Sequence, residues 1–224
     1  MRIFSIILLL ALLTACEKNE TGPRPVPGDY FPTKAGLEWH YLATWRGTPS
    51  TAVPVQTIAG DTLVGNQTYT KVRTAANLTT DPSDTTYTYS LVRKENGNYF
   101  EIKINEWSSV PAGTEERIFL KDYAGVGTQW TYRQAAPANP EEEVETLIVK
   151  IKAIDKERKI GGNTFFNTIE VQENTYLKSL KHNSGRLFFS RHAVYAKDRG
   201  LVHETREYFD YPAYGEKTLK TGPF

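Results

Sequence analysis

The chain has 224 residues, 39% of them hydrophobic, with 13 Tyr, 10 Phe and 4 Trp, enough apolar surface for the core of one large domain or two small ones. Its 27 basic residues face 26 acidic ones, so no bulk charge favours nucleic acid, whose binding rests on phosphate neutralisation. A single cysteine excludes an intrachain disulfide.

Residues 1–15 read as a secretory signal. Met1 and Arg2 give a charged start, Ile3 to Leu13 is apolar apart from Ser5, and Thr14 and Ala15 are small. The run is too short to cross a hydrocarbon core of about 30 Å. Leu13-Thr14-Ala15-Cys16 resembles the bacterial lipobox. The resemblance implies diacylglyceryl transfer to the Cys16 thiol, cleavage before Cys16 and acylation of the new amino group, hence a stable membrane anchor. Residues 17–29, EKNETGPRPVPGD, mix Pro, Gly and charge without periodicity and read as a flexible tether. Glu17, Lys18 and Glu20 resemble the export tag of surface lipoproteins in the Bacteroidota, with Asn19 interrupting the acidic pair. The expected location is the outer membrane, facing either the periplasm or the cell surface.

The folded part opens with YFPTKAGLEWHY. Tyr30, Phe31, Pro32, Gly36, Trp39 and Tyr41 resemble the Y-F-P-x-x-x-G-x-x-W-x-Y opening of uncharacterised lipoproteins of the Bacteroidota. That resemblance implies an envelope location and an all-β fold, and it implies no activity. Gly36-x-x-Trp39-x-Tyr41 is echoed by Gly127-x-x-Trp130-x-Tyr132, and the turn at Gly65 by the one at Gly162. Two echoes in the same order point to a tandem duplication of a unit of about 95 residues, over 30–119 and 120–211, followed by a short C-terminal tail.

Strand patterns follow in order: Glu38 to Trp45, Val53 to Ile58, Thr68 to Thr74, a hairpin around Asn96-Gly97, Gln129 to Arg133, Glu145 to Ile154, Phe165 to Gln172, Leu187 to Tyr195, and Leu201 to Tyr208. Asn-Gly favours a two-residue type I′ turn because both central positions need positive φ. Centring the turn there pairs Arg93 with Phe100, Leu91 with Ile102 and Tyr89 with Ile104 on an apolar, core-facing side. Val92 with Glu101 and Ser90 with Lys103 fall on the opposite, solvent-facing side. The same logic around Asp198-Arg199 sets His203 against Val194 and His192 against Thr205. The expectation is an all-β antiparallel meander of about ten strands, too many to stay flat, curling into a barrel, a half-barrel or two packed sheets.

Catalytic and metal-binding signals are weak. His40, His182, His192 and His203 lack short ligand spacings, and no serine sits in G-x-S-x-G. Glu115-Glu116 and Glu141-Glu142-Glu143 are the carboxylates available to a glycoside hydrolase, and Asp81, Ser83 and Asp84 offer calcium an incomplete ligand set. Lys150, Lys152, Lys156, Arg158 and Lys159 read as a solvated strand face. The aromatics Trp39, Tyr41, Trp130 and Tyr132 are placed inside the sheet, as core or as liners of a ligand cavity. The sequence therefore points to a lipid-anchored module without cofactor or catalytic motif that binds an envelope protein or glycan. A barrel carrying a hydrophobic ligand, or an envelope glycoside hydrolase, are the alternatives.

Overall fold

The structure is a computed structural model. It describes residues 23–46, 48–49, 55–77, 85–104, 116–135, 143–179, 185–209 and 213–221. The lipobox residues Leu13, Thr14 and Ala15, the anchor Cys16, and Asp81, Ser83, Asp84, Glu115, Glu141, Glu142 and His182 lie outside the described residues.

The described chain is all β. Its strands are β1 (Glu38–Trp45), β2 (Thr48–Pro49), β3 (Val55–Val64), β4 (Gln67–Asn77), β5 (Thr85–Glu95), β6 (Asn98–Ile104), β7 (Arg117–Lys121), β8 (Gln129–Ala135), β9 (Glu143–Ile160), β10 (Asn163–Ser179), β11 (Gly185–Ala196), β12 (Gly200–Tyr208) and β13 (Ala213–Thr221). Twelve of them form one antiparallel sheet in the order β7-β6-β5-β4-β3-β1-β13-β12-β11-β10-β9-β8, with β2 beside β1. The sheet curls into a nearly closed barrel.

Backbone pairing between β1 and β13 joins the first strand to the last. Residues beyond 211, expected from the sequence to trail off as a tail, thus supply the strand β13 that holds the two halves together. The edges β7 and β8 meet through side chains instead. Trp130 Nε1 donates to the Ile118 carbonyl at 2.8 Å, and the Ile118 N–H donates to the Tyr132 hydroxyl at 2.6 Å. Lys121 Nζ lies 4.9 Å from the Trp130 ring centre. One residue of β7, Ile118, thus has both backbone groups satisfied across the seam without a ladder.

Both Gly-x-x-Trp segments have the same local structure. Gly36 (φ 83°) and Gly127 (φ 95°) take the left-handed conformation that lets the chain swing into its strand. Gly36 N–H bonds Ile58 O and Ile58 N–H bonds Leu37 O; Gly127 N–H bonds Ile151 O and Ile151 N–H bonds Thr128 O. The Asn96-Gly97 turn has positive φ at both positions (49° and 76°), and β5 and β6 take the register expected from it.

The faces of that hairpin are the reverse of the expectation. Ser90, Val92, Glu101 and Lys103 look into the barrel, while Leu91 and Ile102 join Tyr69 in a small separate apolar cluster. Alternation identifies which residues share a face, not which face is inside. Here the inside is partly charged, and this inverts the usual assignment.

Candidate functional site

The barrel interior has two unlike ends. At the end carrying the tight turns Asn96-Gly97 and Asp198-Arg199, the inward rows are apolar and tightly packed: Trp39, Tyr41, Tyr99, Phe119, Val149, Ile169, Tyr195, Val202 and Leu219 are all buried. The incoming chain plugs this end. Tyr30 is completely buried, its N–H donating to the Tyr99 hydroxyl at 2.8 Å and its own hydroxyl to Val26 O at 2.9 Å. The Tyr99 hydroxyl donates onward to Gly28 O at 3.1 Å. Phe31 stacks on Trp39 and meets Phe119 edge-on, with ring centres 6.2 and 5.8 Å apart.

Moving along the same inward rows towards the other end, the chemistry changes. Tyr99 is followed in phase by Glu101 and Lys103, Val171 by Glu173, Val202 by Glu204 and Arg206. Running against chain direction, Tyr195 and Ala193 lead to Arg191, Phe119 to Arg117, and Leu219 to Lys217. A cavity of about 500 Å³ lies among them, its wall including Lys103, Arg117, Arg191, Arg206 and Lys217 as well as Glu101 and Glu204.

These charges are mostly fixed by one another. Arg117 bonds Glu101 at 2.8 Å and reaches Glu173 at 3.4 Å. Arg191 binds Glu173 through Nη1 and Glu204 through Nε at 2.5 Å. Glu204 also meets Arg206 at 2.6 Å and Lys217 at 3.7 Å. Both Glu173 and Glu204 are only 2% exposed, so their charge depends on these partners. Burial by itself would raise the Glu101 carboxyl, but Lys103 and Arg117 hold it at about 2. Glu204 is likewise drawn well below the carboxylate range, against burial, by Arg191, Lys217 and Arg206. Burial lowers Lys217 to about 8 despite Glu204 beside it. Lys103 is also lowered, first by burial and then by Arg117.

Lys103 stands apart. It has no carboxylate within ion-pair distance among the described residues, yet it faces the cavity and keeps accessible surface there. The four aromatics singled out in the sequence lie elsewhere. Trp39 and Tyr41 are buried, donating to Arg199 O (2.6 Å) and Leu201 O (3.1 Å), and Trp130 and Tyr132 bridge the seam; none lines the cavity.

The remaining candidates are structural contacts. Glu116 is clamped by both Nε and Nη2 of Arg93 at 2.6 Å, and accepts from the Tyr69 hydroxyl at 2.5 Å. His192 and His203 take the cross-strand partners expected from the sequence. His192 Nδ1 lies 3.2 Å from Glu170, and His203 Nδ1 lies 3.1 Å from Thr218 Oγ1. No group of three metal-ligating side chains occurs among the described residues. Lys152, Lys156 and Lys159 are exposed on β9, and Lys150 is half-buried.

No protein-family model matches the chain, and neither does any curated protein. Among solved structures, the fold is shared with a protein from Parabacteroides distasonis ATCC 8503 described as a "putative lipoprotein". The identity is 14% and the TM-score 0.51, over 88% of this chain and all of that one. A "putative exported protein with YmcC-like fold" from Bacteroides fragilis NCTC 9343 aligns over the same shares, with 8% identity and a TM-score of 0.46. The chain therefore has the all-β barrel fold of the first of these proteins.

Proposed function

We propose that this chain is a lipid-anchored lipoprotein of the outer membrane, tethered through Cys16, whose barrel acts as a non-catalytic binding module for an envelope glycan or a protein-borne group. The observation that carries the reading is the unfilled, charge-lined half of an otherwise packed barrel. Protein interiors are ordinarily close-packed, and buried charges are costly unless they serve each other or a ligand. The tether joins the barrel at its apolar end, where Gly28 O accepts from Lys94 Nζ and Asp29 O accepts from the Asp198 N–H. A barrel moored through residues 17–29 is thus held by its packed end, with the cavity displaced from the anchor.

The described carboxyl groups argue against the glycoside hydrolase alternative. Glycoside hydrolysis needs one carboxyl kept protonated as general acid. Glu101, Glu173 and Glu204 are all shifted down, against burial, by the surrounding cations, and so is Glu116 by Arg93 and Tyr69. Carriage of a hydrophobic ligand fits poorly, because an acyl chain here would desolvate Lys103, Arg117 and Arg191 without offering them an acceptor. The test is palmitate labelling followed by native mass spectrometry of the protein released from outer membranes in mild detergent. The expected result is label lost in Cys16→Ser and a non-lipid molecule retained by the barrel. Unlabelled protein would refute the anchor, and a barrel that neither retains nor takes up any molecule would refute the binding module.

A further inference from the structure

We infer that the cavity binds a small organic or inorganic anion (a carboxylate, phosphate or sulfate group, free or carried on a sugar), with Lys103 as its principal contact. This rests on the binding-module reading above and specifies the ligand's charge. Five cationic side chains line this half of the barrel, Lys103, Arg117, Arg191, Arg206 and Lys217, against four carboxylates among the described residues, Glu101, Glu173, Glu204 and Glu216. The excess among the described residues is one positive charge.

The arrangement is uneven in a way that places the ligand. Glu173 lies between Arg117 and Arg191, and Glu204 joins Arg191, Arg206 and Lys217. Arg191 and Arg206 sit directly opposite each other on β11 and β12, a like-charge pair that costs stability unless anions lie nearby. Glu101, Glu173 and Glu204 each already meet an arginine, and Glu216 lies 3.7 Å from His203. Lys103, two residues from Glu101 on β6 and opposite Ser90 on β5, is the cation with no carboxylate in ion-pair distance among the described residues. Its side chain is exposed on the cavity wall, so an incoming anion can reach it without breaking an existing ion pair. The neutral side of the cavity fits the same ligand. Ser90, Thr88, Thr74 and Gln56 line it and can hydrogen-bond a sugar or the further oxygens of an oxyanion.

The experiment is isothermal titration calorimetry on the full lipoprotein in detergent at low ionic strength. The probes are sodium phosphate, sodium sulfate, citrate and D-glucuronate, with D-glucose as the neutral control. The inference predicts saturable binding of at least one anion and none of glucose. It also predicts at least a roughly tenfold loss of affinity in Lys103→Met, the size of one charge-assisted contact. Lys103→Arg keeps the charge and should retain binding, which separates a lost contact from a misfolded barrel. Failure of all four anions to titrate, or equal affinity in Lys103→Met, would overturn the inference. So would a neutral or cationic molecule found in the cavity by native mass spectrometry, which would leave the binding-module reading standing.

Discussion

The two ends of the barrel are built from the same strands and differ in what those strands carry. On β6 the inward row runs Tyr99, Glu101, Lys103; on β12 it runs Val202, Glu204, Arg206; on β10, Ile169, Val171, Glu173. At one end the row packs against the plug of Tyr30 and Phe31, and at the other it lines a cavity. One end therefore stabilises the fold through area removed from water. The other spends part of that stability on fixed charges that an efficient core would replace with hydrophobic residues.

This contrast can be broken at either end. Arg191→Met should cause the largest loss, about 3–5 kcal/mol in denaturant unfolding, because Glu173 and Glu204 would lose a shared partner while remaining buried. Phe119→Ala, at the packed end, should cost about 3 kcal/mol by leaving a cavity among Phe31, Tyr99 and Tyr195. The two ends should separate on acidification. Glu101 titrates at about 2 in the folded state against an ordinary 4.5, so its contribution is complete above about pH 4.5 and disappears as pH falls towards 2. Phe119→Ala should keep the wild-type slope of stability over that window, measured by thermal melts at fixed salt, whereas Arg191→Met should alter it.

Smaller effects are expected at the seam. Trp130→Phe and Tyr132→Phe each remove one bond to the Ile118 backbone and should cost about 1 kcal/mol, with faster amide exchange in β7. Equal exchange in wild type and both variants would mean that the seam is held by packing alone.

The sequence carried the local pairings well and the global inside-outside assignment poorly. Asn96-Gly97 fixed the hairpin register, and Glu38–Trp45 was recognised over its full length, because turn chemistry and alternation are local signals. β13 was missed because its inward row, Gly215, Lys217 and Leu219, is too polar to read as a strand facing a core. The same property hid the site: Glu101 and Lys103 were assigned to water because charged residues usually face it. A usable signal was present nonetheless. Arg191 falls in phase with Ala193 and Tyr195, and Glu204 with Val202, so charge recurs on rows that are otherwise apolar.

The central claim is that Lys103 binds an anionic ligand, and the unfolding midpoint of Lys103→Met, measured with and without saturating citrate or glucuronate, tests it most directly. The account predicts that an anion which raises the wild-type midpoint leaves that of Lys103→Met unchanged. An anion-induced rise as large as that of the unaltered protein would contradict it.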